Sequence, residues 1–398
     1  MENKSDKNQT ALFSIGMLAL LLAQFLSALA DNALLVIAVA MIKAQGGQSQ
    51  VVALLQIAFL VPFILLAPFA GALADGFAKG RVMLVANFLK LAGALMMTLG
   101  INPFIAYHLV GIGATIYSPA KYGILSQMFS SSYLVRANGM LESSTIAAIL
   151  LGVLSGGWLA DYSLQGAFVA VLVSYGLALL ATVLIPRLPV EIPFTTYRPS
   201  LFIKNFLRSC KTLLADKDAR FSLLGTGIFW GSGTALRLLL FAWVPVALAL
   251  YDNQTPANLM GMLSIGIVFG AIAAALCVTL KTVNRALIGG VLIGPSILLL
   301  APVTNLYSAA FLMIIIGFFS GLFVVPLNAL LQERGHQSVG AGSALAVQNL
   351  IENLAMTLFA GAYALASFFA LPILIVAIGF GIVLFLLLAS LAIIRLYK

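Results

Sequence analysis

The stretch GALADGFAKGR, residues 71–81, is a short charged interruption between two apolar segments. It contains an aspartate, a lysine and an arginine, whereas the segments 50–70 and 82–101 contain one charged side chain between them. An apolar segment of about 20 residues is long enough to cross the hydrocarbon core of a bilayer as a helix. The stretch therefore predicts a loop between two transmembrane helices, with its charges at the water interface.

The composition of the whole chain is also that of a membrane protein. Of its 398 residues, 62% are hydrophobic and 8% are charged, and the mean hydropathy is +1.10. Soluble proteins carry about 25% charged residues, so most of this chain requires lipid rather than water as its solvent. The apolar segments are long and continuous, which excludes a transmembrane β-barrel, whose strands alternate over about ten residues.

The apolar segments predict twelve membrane-spanning helices in an all-α fold. They cover residues 11–42, 50–74, 82–101, 104–129, 137–160, 166–185, 221–249, 257–280, 286–303, 307–331, 341–366 and 371–394. The longest polar interruption follows the sixth helix. We therefore predict an N-terminal six-helix bundle over 1–185, a cytoplasmic linker over 186–220 and a C-terminal six-helix bundle over 221–398. Two such halves are typical of transporters built from parallel repeats.

The linker begins with four prolines and continues as a basic segment, LFIKNFLRSCKTLLADKDAR, over residues 201–220. Lys204, Arg208 and Lys211 recur there at helical spacing beside apolar side chains. This pattern predicts an amphipathic helix that lies on the anionic inner leaflet of the membrane.

The basic residues predict the orientation of the chain. If the N-terminus is cytoplasmic, 17 Lys and Arg residues lie in cytoplasmic segments and only Lys43 lies in a loop on the opposite side. This bias follows the positive-inside rule and predicts a bacterial inner-membrane protein with both termini in the cytoplasm. The net charge of +9 is then a topology signal, and no nucleic-acid partner is expected.

The N-terminal segment shares some features with a secretory signal. Lys4 and Lys7 precede an apolar run, and Ala28-Leu29-Ala30 resembles a cleavage site. The apolar pattern continues to Ile42, which is longer than the apolar region of a signal. We therefore expect a complete membrane span rather than a cleaved leader.

The sequence offers little that suggests a metal site, a cofactor or an enzyme. Its two cysteines and two histidines are too scattered to form a disulfide framework or a metal site. A membrane-embedded lipid enzyme is disfavoured because Ser143 and Ser144, beside Glu142, have no histidine near them in sequence. We expect a carrier.

The 71–81 stretch resembles the cytoplasmic loop motif of the major facilitator superfamily, both in its residues and in its place between the second and third helices. The resemblance implies the major facilitator fold and a conformational latch formed by Gly71, Asp75, Lys79 and Arg81. We expect the glycine to let helices approach closely, the aspartate to cap the neighbouring lobe and pair with a basic residue, and the two basic residues to hold the turn at the inner headgroups. The corresponding loop of the second half, residues 279–285, lacks the glycine and the aspartate.

The whole chain resembles the bacterial lysophospholipid transporters. The similar segments are ALADNALL at 28–35, YSPAKYGIL at 117–125, NGMLESSTIAAILLG at 138–152 and SALAVQNLIENLAM at 343–356. The resemblance implies flipping of lysophospholipids, mainly lysophosphatidylethanolamine, from the outer to the inner leaflet by alternating access. It also implies an acyl-ACP synthetase/acyltransferase on the cytoplasmic side that restores the second acyl chain. The expected partners are this enzyme, the substrate and membrane lipids. The carrier itself is expected to be a monomer.

An ion-coupled efflux pump or small-solute carrier of the same fold is the alternative function. It is kept open by Asp31 and Glu142, because a carboxylate inside the membrane can carry a proton or bind Na⁺. The segment LGVLSGG, residues 151–157, keeps the glycines of the superfamily's antiporter motif but lacks its proline, which argues against a proton-driven drug antiporter.

Charged and polar side chains inside the predicted helices are the candidate substrate-binding residues, because a charge at membrane depth costs roughly 2.5–3.5 kcal/mol on insertion scales. They are Asp31, Asn32, Lys121, Glu142, Arg237, Gln348 and Glu352. Both signs of charge suit a zwitterionic headgroup, whose ammonium requires a carboxylate and whose phosphate requires Arg or Lys.

We predict that Asp31 pairs with Arg237 in the empty carrier, since the two lie at similar depth in equivalent helices, and that the headgroup exchanges with this pair. Purely structural ion pairs, Asp31–Arg237 and Lys121–Glu142, are the alternative. Gly266 and Gly270 have the spacing of a close helix contact, which serves either ordinary packing or a lateral gate for the acyl chain.

Overall fold

The computed structural model describes residues 14–129, 131–190 and 199–397, and in these ranges the regular elements are all helices. The α-helices are α1 (Ile15–Ala44), α2 (Ser49–Leu65), α3 (Ala67–Gly76), α4 (Lys79–Thr98), α5 (Pro103–Met128), α6 (Ser131–Tyr162), α7 (Leu164–Val183), α8 (Pro199–Ala215), α9 (Lys217–Ala247), α10 (Gln254–Cys277), α11 (Ala286–Leu300), α12 (Leu306–Ser338), α13 (Ala341–Phe368) and α14 (Ile373–Leu396). A short 3₁₀ helix, Leu280–Arg285, precedes α11. In the described residues, each of the twelve predicted spans contains helix.

The second span is broken into two helices. α2 ends at Leu65 and α3 begins at Ala67, with Leu66 between them at φ −94° and ψ −2°. Pro68 has no N–H and therefore cannot donate to the carbonyl four residues before it, which interrupts the helical hydrogen-bond ladder at this point. With 17 residues, α2 is shorter than the ten helices of the described part that are long and apolar enough to cross a membrane.

The helices pack as two sets with a limited seam between them. In the N-terminal set, α1 packs on α6 and α7, and α5 packs on α4 and α2. In the C-terminal set, α10 packs on α12, α9 on α13, and α11 on both α12 and α14. The most extensive contacts between the sets join α2 to α13 and α6 to α10, so these two pairs have to separate or slide if the sets move.

The linker contains the predicted amphipathic helix, α8. Phe206, Cys210 and Leu213 lie on its packed side, in a cluster with residues of α9, α12 and α13. Lys204, Arg208 and Lys211 are exposed. α8 packs on α9 and α13 of the C-terminal set and to a similar extent on α3 of the N-terminal set, so it contacts both sets at this end of the bundle. Its contact with lipid stays a prediction.

The bundle has two ends, the linker face and the far face. The linker face is the end at which α8 lies and at which α1 and α9 begin. The far face is the opposite end, where the 45–48 turn and the 248–253 turn lie. There the Lys43 ammonium stands 5.2 Å from the centre of the Phe241 ring, so the end of α1 meets the end of α9.

The close helix contact predicted at Gly266 and Gly270 is confirmed. A methyl group at Gly266 would overlap the carbonyl oxygen of Ile314, and one at Gly270 would overlap that of Phe318. Both neighbours belong to α12, in the same set as α10. This pair of glycines therefore serves ordinary packing within the C-terminal set.

Replacing Gly266 by alanine is expected to lower the free energy of unfolding by about 1–3 kcal/mol, because the added methyl forces α10 and α12 apart. Denaturant unfolding of the purified protein in detergent measures this change. Gly361→Ala is the matched control, because a methyl there would meet no atom within 4 Å. An equal effect of both substitutions would contradict the packing role of Gly266.

Candidate functional site

A cavity of about 240 Å³ lies among α1, α2, α4, α5 and α6 and reaches Arg237 of α9. Its polar and charged lining residues are Gln24, Asp31, Asn32, Gln56, Lys90, Tyr107, Tyr117, Ser118, Lys121, Thr145 and Arg237. Phe59 and Phe63 form part of its apolar wall. Of the lining residues in the described part of the chain, Arg237 alone comes from the C-terminal set, so the cavity is built mostly by one set and completed by the other.

The partner of Asp31 is Lys90, and the predicted pairing with Arg237 is wrong. The Lys90 Nζ atom lies 2.7 Å from Asp31 Oδ2, and the Tyr175 hydroxyl donates to Asp31 Oδ1 at 2.7 Å. The Lys90 side chain is 3% exposed, and a lysine buried this deeply is strongly destabilising without a carboxylate beside it. Both residues belong to the N-terminal set, so the pair forms without any contribution from the other set.

A chain of buried hydrogen bonds holds this ion pair in place. Lys90 Nζ also donates to Ser27 Oγ at 3.0 Å, and Ser27 Oγ donates to Asn87 Oδ1 at 2.8 Å. The Asn87 side-chain amide then donates to Thr182 Oγ1 at 3.1 Å. The chain joins α1, α4 and α7, so the orientation of the Asp31 carboxylate is fixed before any ligand enters.

Arg237 reaches the cavity without a counterion. Its Nε atom is buried and has no hydrogen-bond partner, and no carboxylate in the described part of the chain lies within ion-pair distance of it. A half-buried guanidinium in this state gains from an anionic partner. Arg237 is therefore the side chain of the cavity best placed to receive an anion.

Asn32 and Lys121 also line the cavity, as predicted for a common site. The Asn32 amide donates to the carbonyl of Ala28 at 2.9 Å, and the Lys121 ammonium stands 4.3 Å from the centre of the Tyr122 ring. Glu142 lies on α6, but its side chain is outside the described residues. The predicted Lys121–Glu142 pair therefore stays a prediction.

Gln348 and Glu352 lie in a second polar cluster, away from the lining of the cavity. The Gln348 amide donates to Glu352 Oε1 at 2.7 Å and to Asn328 Oδ1 at 2.8 Å. Thr226 of α9 also bonds to the Glu352 side chain. Glu352 is 8% exposed, and its partners among the described residues are neutral, so it is a buried carboxylate with no counterion there.

One charge of the cavity has no counterion among the described residues. Asp31 and Lys90 cancel each other, whereas Arg237 has no carboxylate within ion-pair distance in the described part of the chain. In the sequence, Lys90 is simply the one charged residue of its predicted span, and Tyr175 gives no signal, since a tyrosine in an apolar run is usually part of the core. The cavity is electrostatically suited to a ligand that carries at least one negative charge.

The latch residues lie at the linker face in an arrangement that differs from the prediction. Lys79 is 2% exposed and donates to the carbonyl of Ala74 at 3.4 Å, so it is buried rather than at the headgroups. A methyl at Gly71 would meet no atom within 4 Å, whereas a methyl at Gly123 would stand 2.5 Å from Lys79 Cε. The close approach is therefore made at Gly123. Arg81 is exposed, and the side chain of Asp75 is outside the described residues.

A different carboxylate occupies the corresponding region of the C-terminal set, whose 279–285 loop has no aspartate. Asp218, at the start of α9, accepts hydrogen bonds from Arg334 at the end of α12 and from Arg395 at the end of α14. Arg395 also donates to Asn284 at 3.0 Å. Three helix ends and the loop are thus joined at the linker face through one carboxylate.

Comparisons with known proteins agree with this architecture. The family model described as Major Facilitator Superfamily matches residues 20–360. The protein "Lysophospholipid transporter LplT" of Escherichia coli O1:K1 / APEC is 51% identical over 379 residues, which cover 95% of this chain and 96% of that protein. The protein of the same name from Serratia proteamaculans (strain 568) is 52% identical over 364 residues, 92% of each chain.

Solved structures with the same fold include a POT family transporter in complex with 5-aminolevulinic acid, with a TM-score of 0.76 at 13% identity over 97% of this chain and 98% of that one. A bacterial homologue of the human lysosomal transporter Spinster, in an inward-facing and unoccupied conformation, has a TM-score of 0.71 at 14% identity over 96% and 97% of the two chains. At this identity the likeness shows the fold alone.

Proposed function

The chain belongs to the major facilitator superfamily and, within it, to the family of the lysophospholipid transporters, and on this premise we propose how it carries its substrate. It is a multi-pass membrane transporter and not an enzyme. We infer that it flips lysophosphatidylethanolamine and related lysophospholipids from the outer to the inner leaflet of the bacterial inner membrane. The linker face is then cytoplasmic and the far face periplasmic, in keeping with the positive-inside bias of the loops.

The observation that carries the proposal is the uncompensated Arg237 guanidinium at the cavity. A phosphodiester is common to the lysophospholipids, and its anionic oxygens match the planar fork of a guanidinium. Lys121 adds a second positive charge in the same lining. We assign the phosphate of the substrate to these two residues, with Asn32 as a neutral donor to it or to the glycerol hydroxyl.

The ammonium of an ethanolamine headgroup is assigned to Asp31. Each carboxylate oxygen of Asp31 has one protein partner, Lys90 or Tyr175, and a carboxylate has about four acceptor positions. The ammonium can therefore bind without displacing Lys90, which replaces the exchange predicted from the sequence. Since the ion pair stays intact, no charge is left uncompensated while the headgroup enters.

Gln348 and Glu352 are assigned to a later contact of the same headgroup. Thr226, which bonds to Glu352, and Arg237 are eleven positions apart on α9, or about 16 Å along the helix axis. A single headgroup is too short to touch both levels at once. Glu352 has no counterion among its described partners, so it can receive the ammonium as the headgroup moves toward the linker face; Glu142 is kept as a further carboxylate on this route.

Alternating access requires two bodies that move, and we assign these to residues 1–185 and 221–398, joined by the linker 186–220. The pairs α2–α13 and α6–α10 form the seam between them. Gly71, Asp75, Lys79 and Arg81 act as a latch of the N-terminal body, in which buried Lys79 ties the start of α4 to the end of α3. The chain acts as a monomer, and its product, a lipid with one acyl chain, is passed to an acyl-ACP synthetase/acyltransferase on the cytoplasmic side.

An ion-coupled efflux pump or small-solute carrier is the rival function. Its support in the sequence is the pair of carboxylates Asp31 and Glu142. Asp31 is paired with Lys90, and the side chain of Glu142 lies outside the described residues.

Flipping in vesicles tests the proposed function. The purified protein is reconstituted, fluorescent lysophosphatidylethanolamine is added to the outer leaflet, and albumin extraction measures the fraction that has crossed. We expect the protein to accelerate crossing at least tenfold without any ion gradient and to leave the diacyl lipid with the same fluorophore unmoved. No acceleration would overturn the proposal, and acceleration that requires a proton or Na⁺ gradient would favour the ion-coupled rival.

A further inference from the structure

At the far face, the carboxylate of Asp161 joins the two sets of helices. Asp161 lies at the end of α6, and both of its oxygens accept a hydrogen bond from the main-chain N–H of Asn253 at 2.9 Å. Its Oδ1 also accepts from the Asn253 side-chain amide at 2.8 Å, and its Oδ2 accepts from the main-chain N–H of Gln254 at 2.8 Å. One carboxylate of the N-terminal set thus holds the start of α10 in the C-terminal set.

The negative charge of Asp161 stabilises the start of α10. The first N–H groups of a helix have no partner within the helix, and they carry the positive end of its dipole. Asn253 is the residue that precedes α10, and its own side chain does not cap the helix. Asp161 supplies the missing cap from the opposite set, through charge-assisted bonds to three donors.

The helices beneath the contact are closely packed. A methyl at Gly157 of α6 would stand 2.7 Å from the Cβ atom of Ala257 of α10, and one at Gly261 of α10 would stand 3.1 Å from the side chain of Leu154. The bonds of Asp161 therefore lie at the outer end of a closed seam. If α6 and α10 separate at the far face, all of these bonds have to break.

We propose that Asp161 is a gating residue of the transport cycle, whose bonds to the start of α10 keep the far face closed until they are released. The proposal rests on the proposed function, because a carrier that alternates needs a contact that is made in one state and broken in the other. Asp161 touches no substrate in this role. It sets how often the cavity opens toward the far face.

The same helix start provides a matched control. Asp252 lies next to Asn253 and accepts hydrogen bonds from Thr255, through the main-chain N–H and through Oγ1, the latter at 3.0 Å. It therefore caps α10 from within the C-terminal set and makes no hydrogen bond to α6 among the described residues. Asp252→Ala removes a capping carboxylate at nearly the same position but leaves the hydrogen bonds of Asp161 between the sets; the charges of both carboxylates act on Lys43 of α1.

A distance measurement tests the proposal without any substrate. Spin labels are placed at Tyr162→Cys and Tyr251→Cys, both highly exposed positions on opposite sides of the seam, after Cys210 and Cys277 are replaced by serine. Double electron–electron resonance in lipid nanodiscs then gives the fractions of closed and open far face. We expect Asp161→Ala to raise the open fraction at least threefold and Asp252→Ala to leave it unchanged.

Asp161→Asn tests how much the negative charge contributes. The amide oxygen of the variant still accepts one or two hydrogen bonds, but the side chain is neutral. We expect an open fraction between those of the parent and Asp161→Ala. If Asp161→Ala does not assemble, Asp161→Asn decides the question alone. An unchanged distance distribution, or an equal response to Asp252→Ala, would overturn the gating role, whereas a parent protein that flips no lysolipid would count against the proposed function only.

Discussion

Lysophospholipid flipping is expected to be abolished, and the free energy of unfolding lowered by about 3 kcal/mol, when Lys90 is replaced by methionine. The substitution keeps the length of the side chain but leaves the Asp31 carboxylate without its counterion and without one of the two hydrogen bonds that hold it in position for the substrate ammonium. Removing one partner of a buried ion pair typically costs 3–5 kcal/mol, and the lower value applies because Asp31 lines the cavity. Denaturant unfolding and albumin-protected uptake measure the two effects.

The double variant Lys90→Met/Asp31→Asn separates structure from substrate binding. With both charges gone, most of the lost stability should return, because replacing a whole buried pair by neutral groups is close to neutral. Flipping should stay lost, since the ammonium has no carboxylate to meet. Restored flipping in the double variant would show that the pair is purely structural, and a stable, active Lys90→Met protein would contradict its role altogether.

Replacing Arg237 by glutamine is expected to lower the efficiency of transport without lowering the stability of the protein. The efficiency of flipping should fall roughly 30- to 150-fold, because a hydrogen bond to a charged group contributes about 2–3 kcal/mol. The melting temperature should stay the same or rise, because the variant no longer buries a guanidinium without a counterion. Concentration-dependent flipping rates and a thermal unfolding curve provide both values.

Two further variants define what Arg237 contributes. Arg237→Lys keeps the charge but not the planar fork, so it should retain an intermediate rate. Arg208→Gln removes an exposed arginine of α8, a helix that contributes none of the described residues in the lining of the cavity. It should change neither the rate of flipping nor the melting temperature. If Arg237→Gln lowers stability by several kcal/mol while flipping continues, then Arg237 supports the fold and the phosphate assignment is wrong.

The sequence predicted the helices well because the evidence for them is local. A run of about 20 apolar residues has to cross the membrane wherever it is packed. The break within the second span, next to Pro68, was not predicted. The contact at Gly266 was also predictable, since the spacing of small residues on one helix is enough to allow a close neighbour. Only the identity of that neighbour, α12, required the structure.

The pairing of charges was not predictable to the same degree. Depth along a helix can be counted from the sequence, and it placed Asp31 and Arg237 at similar levels. Which side chains meet depends on how each helix is rotated about its axis, and that brings Lys90 to Asp31. A glycine in the sequence likewise shows only that another element could approach closely at that point. No atom of the described residues lies close to Gly71, whereas the side chain of Lys79 packs against Gly123.

The break at Leu66 has a mechanical consequence. On its far-face side, α2 packs on α13 of the opposite set and on α5 of its own set. On the other side, α3 packs most extensively on α5 and makes smaller contacts with α8 and α13. Since the hydrogen-bond ladder is already interrupted between them, a change in the angle between α2 and α3 breaks few further backbone bonds. The second membrane crossing therefore consists of two helices whose relative angle can change. A displacement of one of them need not move the other by the same amount.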